Sequence, residues 1–398
     1  MKASFTTVRG HHTVAEYRLR PKASHKYQMH HFYLIIGRTF GTLRAEKRQL
    51  VNRYFGKIEQ FDGDAREICV QIVDRLWEGD FYRTSLGHFD FFWMRDFGTV
   101  AESLTNIGQR EKVHHTLRWA LRPYRKSGTV TLCIDSFGNT FNAPDVKSID
   151  ALPWLLHSIH VSGYELNKSD HEFLQKELRR YRKDFLDASG MILPIQFAEL
   201  RDAVIYDRSA YAISLVARLA YCAKRLGLDA FPYHIDIYRA ELLEHYWNGE
   251  YFNADARLSA FSAECAIMPF YLDIIDDPKL FKKTVLYIHN HRLNSPYPLR
   301  YTNQPDAFRY RWWMTAPFMP NYAGTSVWSW HGVFYLHVLK RYGLKEYGDE
   351  HEKFSEMIER HKTWPEMLAR NGSWYNAPVY KGDPGMVWAA LYVELGHR

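Results

Sequence analysis

From residue 64 onward, apolar positions recur three and four residues apart, the spacing of one face of a helix. Twelve helical stretches are predicted, near 64–78, 96–107, 110–123, 148–163, 168–186, 207–225, 230–246, 258–272, 277–290, 324–341, 347–362 and 384–396. They alternate in character. The third, fifth, ninth and eleventh are charged with a single apolar stripe, as in "SDHEFLQKELRRYRKDFLDA" and "YGDEHEKFSEMIERHK". Such a helix covers a core and turns its other face to water. The seventh is amphipathic too, with an aromatic end. Even-numbered stretches such as "SIDALPWLLHSIHVSGY", "DRSAYAISLVARLAYCAKRL" and "TSVWSWHGVFYLHVL" are apolar nearly all round, so they belong inside.

Six outer helices alternating with six inner ones predict an all-α fold, the (α/α)6 toroid. No dinucleotide glycine signature and no parallel-sheet pattern interrupts it. No Ser/Gly/Pro-rich linker divides residues 61–398, which are read as one barrel. Residues 1–60 are read as an N-terminal extension packed on it. Within the extension, "YQMHHFYLIIGRTF" suits a strand or a short buried segment, and "TLRAEKRQLVNRYF" suits a helix.

Composition narrows the function classes. The chain has 398 residues and 46% hydrophobic content, ample for a large core. Aromatics make up 16%, which serves a dense core and also suits stacking on sugar rings. The net charge of +7 allows an anionic partner, yet Lys and Arg are dispersed among Glu and Asp. With no long basic run and no zinc-finger spacing, nucleic acid is not an expected partner. The four cysteines, Cys69, Cys133, Cys222 and Cys265, form no CxxC pair and read as reduced core residues. No apolar run approaches a membrane span and no signal core opens the chain, so a soluble cytoplasmic protein is expected. An oligomer is compatible with all of this.

Chemistry concentrates at one end of the predicted ring. The connections that open each inner helix are rich in Trp, Tyr, Phe, Asp, Asn and Arg: "GHFDFFWMRDFG", "CIDSFGNTFNAPDVKSID", "FAELRDAVIYDRS", "YWNGEYFNADARLS", "YRWWMTAPFMPNYAGTS" and "TWPEMLARNGSWYNAPVYKGDPG". The opposite connections are short and plain. Loops bearing such groups on a rigid scaffold are the usual place for a site. Aromatic faces stack on sugars, and Asp, Asn and Arg bind hydroxyls. Glycoside hydrolysis needs two carboxyl groups flanking the scissile bond, one as acid and one as base. Eleven candidates lie at this end: Asp90, Asp96, Asp135, Asp145, Asp150, Glu199, Asp202, Asp207, Asp255, Glu366 and Asp383. Spacing alone does not choose two of them.

Several of these residues also have plain structural readings. Thr363 stands three residues before Glu366 with Pro365 between them, the pattern of a capped helix start. Asp150, near the start of an inner helix, could serve only the helix dipole. A general acid there needs burial or a neighbouring carboxylate to hold its proton against that dipole. Arg95–Asp96 could be a structural ion pair, and Asp207 with Arg208 a simple cap. Twenty histidines form no metal-ligand set, so no metal and no organic cofactor are expected.

Four segments resemble the (α/α)6 glycoside hydrolases, the group of alkaline/neutral invertases, trehalases, processing α-glucosidase and glycogen-debranching glucosidase domains. "FFWMRDFGTVAESL" resembles their early "RDF"-type motif, and "SIDALPWLLHSIHVSGY" is similar to "VDSGLWW". "TWPEML" resembles "WPEYYDG" and "WEQYD", and "NYAGTSVWSWHGVFYLHVLKRYG" resembles the "NGGSWP" helix before that glutamate. They run in order over residues 64–396. The resemblance implies Asp150 as general acid and Glu366 as general base, with Arg95 and Asp96 gripping the sugar. Trp93, Trp154, Asp207, Arg208, Trp312, Trp313, Tyr322 and Trp374 are the further substrate contacts expected. The implied activity is an inverting, exo-acting glycoside hydrolase on an α-glucoside. Invertase or trehalase chemistry, a polysaccharide lyase, and a carbohydrate-binding toroid without catalysis are the alternatives.

Overall fold

The computed structural model of this chain describes residues 43–44, 47–143, 146–194, 197–311 and 317–396. Twelve α-helices follow from residue 65 among the described residues. They are α1 (Ala65–Arg75), α2 (Met94–Leu104), α3 (Arg110–Ser127), α4 (Ala151–Ser162), α5 (Lys168–Phe185) and α6 (Ala210–Arg225). Then come α7 (Ile235–Glu241), α8 (Ala263–Tyr271), α9 (Pro278–Asn290), α10 (Ser329–Arg341), α11 (Tyr347–His361) and α12 (Ala389–Leu395).

The even-numbered helices pack in sequence against one another, and α12 closes the ring on α2. This is the (α/α)6 toroid. Buried residues run round the inner helices: in α4 everything from Ala151 to Ile159 is buried, Trp154 and Leu155 among them. The outer helices bury one stripe, such as Phe173, Leu174, Leu178, Tyr181 and Phe185 of α5. Gly98 of α2 marks how closely two inner helices approach. A Cβ there would lie 2.4 Å from the Cβ of Trp154 in α4. No described helix is long and apolar enough to cross a membrane.

Outer and inner helices begin differently. Four of the six outer helices carry side-chain caps: Asp64 and Glu67 form a full capping box on α1, Asn167 caps α5, His234 caps α7, and Asp277 caps α9 with Pro278 behind it. Most inner helices lack one. Their first turns are tied instead to neighbouring connections, through Met94 N–H to Leu132 O (2.7 Å), Ala263 N–H to Tyr301 O (2.9 Å) and Ser329 N–H to Glu366 O (3.2 Å). Several inner helices therefore start later than the hydrophobic pattern predicts. Residues 324–328 form turn and strand rather than helix, because Val327 and Trp328 (β4) pair antiparallel with Met367 and Leu368 (β5). A second small sheet joins Phe92–Trp93 (β1), Cys133–Ile134 (β2) and Thr140–Phe141 (β3). Both sheets lie in the long connections and brace one end of the ring.

Most of the predicted extension, with its "YQMHHFYLIIGRTF" segment, lies outside the described residues, as do Asp145, Trp312 and Trp313. Residues 47–55 form a helix, as the pattern of "TLRAEKRQLVNRYF" predicts. This helix touches the connections at the braced end: Asn52 Nδ2 donates to Asp383 (3.0 Å), Arg53 Nε to Ala377 O (2.6 Å), and Arg48 pairs with Asp90.

Candidate active site

Glu366 sits in irregular chain immediately before β5. The helix-cap reading of "TWPEM" does not apply, since no helix begins there and Thr363 Oγ1 is buried with no partner. Long-range pairing overrides the local motif. The Glu366 N–H donates to Asp383 O (2.8 Å), and the Asp383 N–H returns a bond to Glu366 Oε2 (2.8 Å). Tyr380 donates its hydroxyl to the same carboxyl, 2.6 and 2.8 Å from its two oxygens. From behind, Trp364 Nε1 donates to Ser329 Oγ, which donates to Glu366 O. Burial and the nearby Asp383 charge push the Glu366 carboxyl well above the usual carboxylate range; Tyr380 and the Asp383 N–H pull the other way.

Asp383 backs this group. Burial alone would raise it, but His88 at 2.8 Å and N–H groups of His88 and Phe89 hold it below its ordinary value. Ring contacts then run from Tyr380 to His88, Phe89 and Trp93. His88 Nε2 and Trp93 Nε1 are both buried with no protein partner.

Arg95 and Asp96 open α2 and diverge. Arg95 turns to Asp150, with Nε 2.6 Å from Oδ2 and the second guanidinium nitrogen 3.4 Å from Oδ1. Burial would lower the guanidinium, but the Asp150 charge overcomes this and raises it. Asp150 also accepts from Ser148 and from Tyr211 (3.0 Å) and makes no cap bond to its own helix. It is therefore the counter-ion of Arg95. Asp96 instead accepts from Trp388 Nε1 at 3.0 Å, and burial pushes its carboxyl up to about 7. Trp388 stacks on Trp330, which stacks on Trp328, and Trp328 Nε1 donates to Tyr322 O (2.8 Å). Tyr322 in turn meets Tyr380 edge-on.

Across the ring stands the connection before α6. Arg201 is buried there and donates to Ala323 O (3.0 Å), Tyr206 (3.0 Å) and Ser262 (2.9 Å), with Phe308 beneath its guanidinium. It pins the residues around Tyr322 to this side. Asp202 follows it, half-buried. Burial raises its carboxyl to about 6, against the pull of Arg95 and Arg311. Glu199 bonds Ser209, the cap of α6, and Glu264 bonds Tyr206 and Ser262, so both are engaged in the framework.

The structure thus gathers Trp93, Arg95, Asp96, Tyr322 and Glu366 at the middle of the braced end. Other expected contacts fall elsewhere. Trp154 is fully buried between inner helices and donates to the Tyr211 hydroxyl at 3.2 Å. Asp207 lies at the rim, paired with Arg309 and Arg257, and Arg208 is joined to Asp255 and Tyr246 through its backbone. Trp374 closes its own loop by donating to Gly382 O (2.8 Å). Nothing in the sequence singles out Tyr380, Arg201 or Trp388. Tyr380 meets Glu366 across 14 residues of irregular chain, which no helical or strand spacing reveals.

No family model and no curated relative matches this chain. Solved structures do. A glycosidase variant aligns with TM-score 0.62 at 11% identity, covering 90% of this chain and 98% of its own. The fold is one that solved glycosidases share. The family 63 mannosylglycerate hydrolase from Thermus thermophilus, in complex with Tris and D-glycerate, aligns at TM-score 0.54 and 13% identity, covering 84% of this chain and 100% of that one. A rhamnosidase from Klebsiella oxytoca with rhamnose bound aligns at 0.56 and 11%, with 84% of this chain and 64% of that one covered.

Proposed function

We propose that this protein is a glycoside hydrolase working by inversion at the end of a carbohydrate chain, with Glu366 as general base and Asp202 as general acid. The observation that carries the assignment is the place of these two carboxyls in the ring. Glu366 precedes α12 and Asp202 precedes α6, three inner helices apart in a ring of six, so they approach from opposite sides. Burial raises the Tyr322 hydroxyl, and the Asp202 and Glu366 charges both add to that rise. Asp150 precedes α4, only two inner helices from α12, and is committed to Arg95.

Each group suits its task. An acid must carry a proton near neutrality, and burial has moved Asp202 towards that range. A base must accept one. The Tyr380 hydroxyl and the Asp383 N–H both donate to Glu366 and favour the ionised form a base needs, against the burial that raises its affinity for protons. Water activated by Glu366 would attack the anomeric carbon while Asp202 protonates the leaving oxygen, inverting the configuration. Trp93 and the free ring nitrogen of His88 would meet the sugar beside Glu366. An α-glucosidic linkage is the substrate we propose, from the resemblance of "TWPEML" and "FFWMRDFG" to glucosidase segments.

Proton NMR of the first product formed from a panel of α- and β-linked disaccharides tests this. Release of the β-anomer from an α-linked substrate is expected. Release of the α-anomer would overturn inversion. Sugar binding without any turnover would favour a binding toroid.

A further inference from the structure

On the same end as Glu366, the connections before α10 and α12 leave a groove of about 510 Å³ between them. Its polar lining includes Arg300, Arg370, Asn321, Asn371, Ser326 and Tyr375, with no carboxylate among the lining residues. The two arginines repel one another. Burial and the Arg370 charge both press the Arg300 guanidinium downward, and neither residue makes an ion pair among the described residues. Arg300 donates to Ser295 O, but its Nε is buried with no acceptor. Two like charges at one groove, one with an unused buried donor, lack a counter-ion. The guanidinium fork matches the paired oxygens of a carboxylate or phosphate.

The groove wall is held in shape. Asn321 adopts a left-handed φ of 60°, Ser326 Oγ donates to Asn321 O (2.5 Å), and the Tyr375 hydroxyl donates to Pro320 O (2.9 Å). Tyr375 also faces Tyr380, ring centroids 6.3 Å apart, and Tyr380 is the residue that holds Glu366. The groove is thus one aromatic pair away from the candidate base. A net charge of +7 favours the approach of anions to the whole molecule.

We propose that this groove receives an anionic substituent of the carbohydrate, a carboxylate or a phosphate, and that Arg300 and Arg370 select for it. This deepens the glycoside-hydrolase reading and rests on it for the identity of the ligand as a sugar. Binding, not turnover, is the readout, so the two ideas fail separately. Glucuronic acid, glucose 6-phosphate, inorganic phosphate and glucose are titrated calorimetrically into the full-length Glu366→Gln protein, at low salt and in 0.5 M NaCl. At least one charged sugar is expected to bind tenfold or more tighter than glucose at low salt, with the advantage shrinking in high salt. Whichever of the two wins names the substituent. Adding Arg300→Ala and Arg370→Ala should abolish the preference and keep glucose binding. The exposed Arg370→Ala alone should cut the preference severalfold, which covers the case of an unfolded double variant. Equal binding of charged and neutral sugars, an unchanged preference in the variants, or inorganic phosphate binding as tightly as the sugar phosphate would overturn the proposal.

Discussion

Arg95 and Asp150 are each other's partners: Nε stands 2.6 Å from Oδ2, and both side chains are buried. A buried pair is costly to break from one side, because the remaining charge is left uncompensated. Arg95→Leu is expected to lose about 3–5 kcal/mol of stability in denaturant titrations. If the unfolding free energy of the variant stays within about 1 kcal/mol of wild type, Asp150 is not held by this pair in solution.

The division of labour between Asp150 and Asp202 is open to direct test. Asp202→Asn should keep its melting temperature within a few degrees and lose turnover by about 10³-fold or more, as removal of an acid from a glycoside hydrolase does when the leaving group is poor. Asp150→Asn should melt earlier yet retain more activity than Asp202→Asn. The reverse ranking, read from initial rates on natural disaccharides, would return the acid role to Asp150.

Tyr380 tunes Glu366. Its hydroxyl bond favours the ionised carboxylate, so Tyr380→Phe should raise the Glu366 pKa further. The acid limb of the kcat/KM profile should then move to higher pH, with a loss of about tenfold at neutral pH. A profile that merely scales down without moving would mean that Tyr380 positions substrate instead.

Asp96 makes stability fall as pH rises. Its folded value of about 7 exceeds the ordinary 3.8, so the folded state holds this proton between those values while the unfolded chain releases it. The stabilisation is fully present below pH 4 and is lost as pH climbs through 7. Asp96→Asn carries no such loss. Its stability relative to wild type should therefore rise between pH 4 and 8 by a few kcal/mol, since each tenfold gain in proton affinity is worth about 1.4 kcal/mol. A flat difference in chemical denaturation across that range would refute it.

Gly98 is required for the contact of α2 with α4. With the Trp154 Cβ only 2.4 Å from where its own would stand, Gly98→Ala must push two inner helices apart. A loss of about 1–3 kcal/mol is expected in denaturant melts.

The two carboxylates proposed as base and acid differ in how far the sequence reveals them. Glu366 stands in a long aromatic connection before a helix apolar all round, and that setting is visible in the chain. Its competing cap motif is visible too, and only the pairing of β5 with β4 excludes it. Asp202 is one of eleven candidates. Asp150 has the better local motif, but a motif does not say which way a side chain turns, and this one turns to Arg95. Trp154 shows the same limit, since an indole on an apolar helix serves a core or a sugar equally well until its neighbours are known.

The sequence by itself determined the twelve helices, their alternation into outer and inner layers, and the end of the ring where the chemistry gathers. Those follow from periodicity and burial, which each helix expresses in its own residues. The partners of each carboxyl and the pairing of connections far apart in the chain were decided only by the tertiary structure. Ring closure determines which connections face each other, and no spacing along the chain encodes that directly.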